Sequence, residues 1–86
     1  MATLLYTDGG RQEVTPRRGR TFSLTELQTY VGGYIELVKV SGDRLLVVNE
    51  EGLLRRLQPN MLATGIAGTG CFIVGDALLC KPEEID

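Results

Sequence analysis

Histidine and tryptophan are absent from this chain of 86 residues, and cysteine occurs only twice. Without histidine, the chain has no Ser–His or Cys–His pair for nucleophilic catalysis and lacks the usual general base near neutral pH. Two cysteines alone do not complete a four-ligand zinc site. The remaining catalytic alternative is a carboxylate pair such as Glu36 with Glu50, but no recognisable nucleophile or set of metal ligands accompanies it. We therefore expect a protein that is not an enzyme and that carries no cofactor or metal.

Long apolar runs are also missing, and the longest are short stretches such as Leu45–Val48 and Ala77–Cys80. A helix that spans a bilayer needs about 20 consecutive apolar residues, so we expect no membrane segment. The first residues contain no basic stretch and no cleavage site, so a signal peptide is not expected. Together these features predict a cytoplasmic protein.

The length is suited to one small domain, residues 1–86, and the hydrophobic content of 43% is ordinary for a globular protein. A domain of this size buries only about 60–65% of the surface that its unfolded chain exposes, which makes its stability marginal. Self-association would bury more surface, and we therefore expect a homo-oligomer.

Charge is nearly balanced, at a formal net charge of −2, which gives no attraction toward nucleic acid or an anionic membrane. The distribution is uneven, because four arginines lie within residues 11–20 and the segment 81–86 is acidic. Arg17, Arg18 and Arg20 form either a solvated loop or a group that binds phosphate or carboxylate. Binding to DNA is not expected, because the basic loop is short and no aromatic residues are interleaved with it.

Residues 1–22 are predicted to hold a hairpin followed by the arginine loop, with strands at 3–7 and 11–15 on either side of an Asp-Gly-Gly turn. A helix is predicted at 23–31, because Ser23 and Glu26 have the spacing of a capping box. Leu24, Leu27 and Val31 are predicted to lie on one face of this helix, and Gly32 suits the left-handed residue that ends it.

The segment 34–80 is predicted to be rich in strands. A hairpin is expected from Tyr34–Val40 and Arg44–Asn49, a short strand or extended piece at 53–57, one helical turn at 59–64 and a glycine-rich loop at 65–70. A last hairpin is expected at 71–80, with one bent strand bulged at Gly75 as the alternative. These elements predict an α+β fold in which a small antiparallel sheet of about five strands has one main helix packed on one face.

The last hairpin would place Cys71 directly across from Cys80. Two buried apolar thiols are one interpretation, and a strained disulfide is the other, which a cytoplasmic location disfavours.

Three segments occur in the order V-G-G-Y-I-E from Val31, N-E-E-G from Asn49, and N-x-x-A-T from Asn60. The pattern resembles a family of small domains of unknown function found in phage, plasmid and bacterial genomes, and it covers about residues 24–75. The resemblance brings no settled activity. Small phage proteins without catalytic residues often act against host defence, some as sponges that sequester nucleotide signals, and a phage protein of this kind would work in the host cytoplasm.

The polar residues of this pattern suggest a ligand site if they converge. Asparagine and glutamate can read a base edge or a ribose, tyrosine can stack on a base, and arginine can hold phosphate. The structural alternatives are a helix N-cap for Asn60 and a tight turn at 49–52. The predicted ligand-binding residues are Tyr34, Glu36, Asn49, Glu50, Asn60, Thr64, Arg17, Arg18 and Arg20, with Arg55 and Arg56 as an alternative phosphate-binding pair.

Two functions follow as hypotheses. The first is a non-catalytic protein that binds a small nucleotide-like ligand, as an anti-defence sponge would. The second is a protein–protein interaction module that inhibits a host enzyme through an exposed strand or the arginine loop.

Overall fold

A computed structural model describes residues 2–68 and 70–85 of the chain, and the parts of the predictions that concern Met1, Thr69 and Asp86 lie outside the described residues. Five strands, two α-helices and a 3₁₀-helix follow one another along the chain. They are β1 (Ala2–Leu5), β2 (Arg11–Val14), α1 (Leu24–Val31), β3 (Ile35–Val40), β4 (Arg44–Asn49), α2 (Met61–Ala67), β5 (Ala77–Cys80) and the 3₁₀-helix Pro82–Glu84.

The five strands form one sheet in the order β2-β1-β5-β4-β3, and every neighbouring pair is antiparallel. β1 with β2 and β3 with β4 are the two hairpins that the sequence predicts. β5 lies between them, where Leu78 pairs with Leu4 on one side and with Val47 on the other. The predicted α+β class and antiparallel sheet are therefore confirmed, and β2 and β3 are left at the two edges.

Helix α1 begins and ends as its sequence predicts. The Ser23 hydroxyl accepts a hydrogen bond from the Glu26 N–H at 3.2 Å, and the Glu26 carboxylate accepts one from the Ser23 N–H at 3.2 Å. Gly32 ends the helix at a φ of +80°, where its N–H donates to the Gln28 carbonyl at 2.8 Å. The buried Phe22 ring, just before the cap, meets Tyr30 edge-to-face, with ring centroids 6.1 Å apart.

The sheet carries a hydrophobic core on each face. Side chains alternate along β4, so that Leu45 and Val47 pack in the cluster that contains Leu27 of α1, whereas Leu46 and Val48 pack in the cluster that contains Ala63 of α2. The prediction of a main helix on one face is confirmed, and a second helix covers the other face. The segment 59–64 was predicted as only one helical turn, but apolar residues at 66 and 67 continue the buried face and extend the helix past Gly65.

Two predicted elements of the second half are wrong. Residues 51–56 form successive turns, whereas a short strand or extended piece was predicted at 53–57, and the Leu57 N–H donates to the Gly52 carbonyl at 3.0 Å. Residues 71–74 do not pair with β5, because β5 finds partners in β1 and β4. Val74 instead bridges to Pro59, and neither the hairpin nor the bulged strand forms.

Both cysteines are free thiols, Cys80 buried and Cys71 partly buried. Burial, together with the charge of Glu84, raises the pKa of the Cys80 thiol to about 11. The acidic segment after Cys80 is built into the fold, because the Phe22 N–H donates to the Glu84 carbonyl at 2.7 Å and the Glu84 side chain is buried. In the described part of the chain, neither the lengths nor the composition of the helices would let one cross a membrane.

Candidate functional site

The nine residues predicted to contact a ligand do not meet in one place. Arg17 and Arg18 line one cleft and Arg20 another, while Tyr34 borders a third, and Glu36, Asn49 and Glu50 line a groove beside β3. The polar side-chain atoms of Asn49, Asn60 and Thr64 form hydrogen bonds inside the fold.

Asn60 is fully buried and joins three parts of the chain. Its Oδ1 accepts from the Ala63 N–H at 3.0 Å, which makes Asn60 the N-cap of α2. Its Nδ2 donates to the carbonyls of Leu5 and Gly75, each at 2.9 Å. Thr64, one turn later, accepts from the Ile73 N–H at 2.9 Å. These contacts bind α2 to the strand ends and to residues 73–75, so the N-cap interpretation of Asn60 is the one that the structure supports.

The side chains of Asn49 and Arg55 donate hydrogen bonds to carbonyls at the carboxyl end of α1. The buried Asn49 amide donates to the Val31 carbonyl at 3.0 Å, and Arg55 Nη1 donates to the Gly32 carbonyl at 2.8 Å. A Cβ added at Gly33 would lie 2.9 Å from Arg55 Nη1 and 3.0 Å from Asn49 Nδ2. Gly32 thus provides the left-handed turn, and Gly33 leaves room for the two side chains that satisfy the helix carbonyls. The double glycine was the signal in the sequence that a close approach occurs here.

The arginine cleft already contains a carboxylate. Arg17 and Arg18 line a depression of about 460 Å³ with the hydroxyl residues Thr21, Ser23 and Thr25. Glu26 accepts from the backbone N–H groups of Arg17 and Ser23, and these hydrogen bonds lower the pKa of its carboxyl. The backbone groups that would hold a phosphate at the start of α1 therefore have an anion in place.

A groove of about 480 Å³ lies beside β3, between the strand pair β3–β4 and the segments 52–54 and 71–74. We call it the β3 groove. Its features that bear on binding come from Glu36, Val38, Glu50, Leu53, Leu54 and Phe72. Leu53, Leu54 and Phe72 are 68%, 84% and 55% exposed, which is unusual for three large apolar side chains on one depression.

The backbone around Gly52 holds these exposed leucines in position. The Gly52 N–H donates to the Asn49 carbonyl at 3.1 Å, and a Cβ at Gly52 would lie only 2.7 Å from Val74 Cγ2. Glycine thus lets the turn press against residues 73–74 and form the wall of the groove.

Charge in the β3 groove has one sign. Of the described residues that line it, the charged ones are Glu36 and Glu50, and both are exposed. The sequence predicted these two glutamates as site residues but missed the apolar ones, because 53–57 was predicted as a strand or extended piece and 71–74 as part of a hairpin or of a bulged strand. The consecutive pair Leu53-Leu54, directly after a glycine turn, was the available signal.

The described residues contain no group of three cysteine, aspartate or glutamate side chains placed to hold a metal ion.

Comparison with known proteins found no match among curated proteins and none among solved structures. One family model does match, described as a domain of unknown function (DUF3846), and it matches residues 2–86. The expectation of a small family without an established activity is confirmed, over a longer part of the chain than the three segments that suggested it. The chain belongs to the DUF3846 family of domains of unknown function.

Proposed function

We propose that this domain is a non-catalytic protein-binding module, and that its β3 groove receives a partner segment that carries apolar and basic side chains. The observation that carries the proposal is the combination of three exposed large apolar residues with two glutamates on one groove. Inhibition of a host enzyme, by holding one of its segments here, is the biological form that the proposal takes.

The apolar part of the groove supplies the affinity. Leu53, Leu54 and Phe72 expose between 55% and 84% of their surface, so a partner that covers them removes apolar area from water. Aromatic and aliphatic anchors of this type dominate the energetics of protein interfaces.

The carboxylates supply the choice of partner. Glu36 and Glu50 are exposed, and the described lining offers no basic side chain to pair with them. A lysine or arginine on the partner would complement this charge and speed its encounter with the groove, whereas an acidic segment would be repelled.

Capture of a small nucleotide is the second candidate. The observation in its favour is the cleft that Arg17 and Arg18 form with three hydroxyl residues. A phosphate there would compete with Glu26 for the backbone N–H groups of Arg17 and Ser23. This competition, and the use of Asn49 and Asn60 inside the fold, make the nucleotide proposal the weaker of the two.

A designed peptide tests the first proposal. The probe is a fluorescein-labelled, capped heptapeptide, threonine-lysine-valine-leucine-valine-lysine-threonine, whose binding is followed by fluorescence anisotropy. Phe72→Ser is expected to weaken binding at least tenfold. The matched control is Leu24→Ser, because Leu24 is 56% exposed, close to Phe72, and lies on α1 outside the groove lining. A version of the peptide with glutamate in place of lysine should bind much more weakly. Equal binding by the Phe72 and Leu24 variants would refute the proposal.

The nucleotide candidate is tested by thermal denaturation with a panel of cyclic dinucleotides and cyclic ADP-ribose. The first proposal predicts no change in melting temperature. A rise that disappears in the Arg17→Ala, Arg18→Ala double variant would favour the second candidate instead. Native mass spectrometry of protein purified from cells would reveal a retained small molecule directly.

A further inference from the structure

We infer that the partner segment binds as an extended strand, added antiparallel to the free edge of β3, with its alternate side chains entering the β3 groove. This inference rests on the proposed function and deepens it, since it names the backbone groups that recognise the partner. It depends on which residues of β3 direct their backbone N–H and C=O groups away from β4, on the difference between the two sheet edges, and on the position of the groove.

One hydrogen bond shows which residues of β3 direct their backbone groups toward β4 and which direct them outward. The Glu50 N–H donates to the Tyr34 carbonyl at 2.8 Å, one step beyond the paired residues Ile35 and Asn49. In an antiparallel pair, residues alternate between bonding to the partner strand and pointing away from it. The backbone groups of Ile35, Leu37 and Lys39 therefore point outward from the sheet edge, free to pair with another strand.

The two edges of the sheet differ in their protection. β2 has four residues, and its first three, Arg11, Gln12 and Glu13, are polar or charged and exposed. β3 has six residues, of which four are apolar, and it contains no proline. Leu37, near its middle, is 47% exposed. Charged side chains and short length are common protections of a sheet edge, so β3 is the edge that remains open to pairing.

The groove lies on the side of β3 that such a strand would reach. Val38 and Val40 pack in the core cluster of the α2 face, while Ile35 packs in that of the α1 face. By alternation, Glu36 lies on the α2 face, and both Glu36 and Val38 line the groove. Every second side chain of an added strand would then project beside Glu36 toward Phe72, and the intervening ones would lie next to Leu37.

The heptapeptide used above fits this antiparallel arrangement. Its lysine, leucine and lysine occupy one face and suit the groove. Its valines occupy the other face, beside Leu37, and their backbone groups are the ones directed at β3. N-methylation of the two valines should therefore abolish binding or weaken it at least tenfold, whereas N-methylation of the central leucine should change it less than threefold.

Variants of the protein test the same contact from the other side. Leu37→Pro removes an outward N–H without removing a hydrogen bond between β3 and β4, so it should weaken binding of the unmodified peptide at least tenfold. The matched control is Glu13→Pro. On β2, the hydrogen bond from the Tyr6 N–H to the Gly10 carbonyl shows which residues bond to β1. By alternation, the backbone N–H of Glu13 points outward from that sheet edge. Circular dichroism checks that both variants are folded, and the methylated peptides decide the question if Leu37→Pro is not.

The outcomes separate the two proposals. If Phe72→Ser weakens binding but the methylated valines do not, the groove binds its partner without strand addition, and this inference is wrong while the proposed function stands. If none of these changes matters, both are wrong. If sedimentation velocity shows that the free protein is a dimer that Leu37→Pro dissociates, and the peptide does not bind, a second copy of the chain occupies the edge and the inference is overturned.

Discussion

Replacement of Asn60 by alanine is expected to destabilise the fold by about 3–7 kcal/mol. The change removes the N-cap of α2, which costs about 1 kcal/mol, and it leaves the carbonyls of Leu5 and Gly75 without the Nδ2 donor. A buried acceptor without its partner costs about 1–3 kcal/mol. The total is comparable with the whole stability of a small domain, about 5–15 kcal/mol, so the variant should be largely or partly unfolded near body temperature.

Asparagine has both functions at this position, and aspartate separates them. Asn60→Asp keeps an oxygen for the Ala63 N–H, but it replaces the donor by a second oxygen that faces two carbonyls. Aspartate caps isolated helices as well as asparagine does. If capping were the only contribution of Asn60 to stability, Asn60→Asp would be as stable as the wild type. Because the charge would be buried among acceptors, we expect Asn60→Asp to be at least as unstable as Asn60→Ala.

Urea unfolding followed by circular dichroism measures both changes. Gln58→Ala is the control, because Gln58 lies two residues away, is exposed, and should shift the free energy of unfolding by less than about 0.5 kcal/mol. The reasoning is refuted if Asn60→Ala unfolds at the same urea concentration as Gln58→Ala. An aspartate variant as stable as the wild type would show that the two Nδ2 hydrogen bonds contribute nothing.

Two further predictions concern titrating groups. Backbone hydrogen bonds from Arg17 and Ser23 lower the pKa of Glu26 in the folded state, so its ionised form adds stability above the unfolded pKa of about 4.3, and this stability is lost as the pH falls through the folded pKa. Glu26→Gln should therefore flatten the loss of stability as the pH falls below that unfolded value, measured by urea unfolding; a pH profile equal to that of the wild type would contradict the assignment. The raised pKa of Cys80, about 11, should keep its buried thiol unreactive in the folded protein, so an aromatic disulfide reagent at about pH 8 should label one thiol per folded chain and two in denaturant. Rapid labelling of folded Cys71→Ser protein would show that Cys80 is accessible.

Local chemistry was sufficient to predict the first half of the fold. The capping box of α1, its left-handed Gly32, and the β3–β4 hairpin all depend on residues close together in sequence, and each is present as predicted. The N-terminal hairpin is of the same kind, since its turn residues lie between its two strands.

The errors lie where partners are distant in sequence. Cys71–Val74 and Ala77–Cys80 flank a Gly-Asp turn, but β5 pairs with β1, more than 70 residues earlier, and with β4. A local turn signal cannot compete with two strands that bury β5 on both sides. Residues 53–57 are apolar enough for a strand, yet their hydrogen bonds close turns, and Arg56 has a φ of +55°.

The candidate site could be predicted only in part, for a related reason. Glu36 and Glu50 were recognised because they are charged and follow a suggestive pattern. Asn49 and Asn60 were assigned to a ligand because asparagine can read a base, although each forms a hydrogen bond with a backbone group at a helix end. The exposure of Leu54 and Phe72 depends on turns that bring distant segments together, and hydrophobicity alone predicts burial for both.

Some polar residues are therefore buried and some large apolar residues exposed, the reverse of what their hydrophobicity alone predicts. Asn60 and Asn49 are buried because helix ends and strand carbonyls need hydrogen-bond partners that water cannot supply there. Leu53, Leu54 and Phe72 are exposed, and a domain of this size gains little stability from side chains that it cannot cover. Stability and binding should then be separable: Asn60→Ala should lower the urea midpoint of the protein, whereas Phe72→Ser should leave that midpoint unchanged while weakening peptide binding. If Phe72→Ser also destabilised the fold, the groove would be part of the core and the argument for a binding surface would lose its basis.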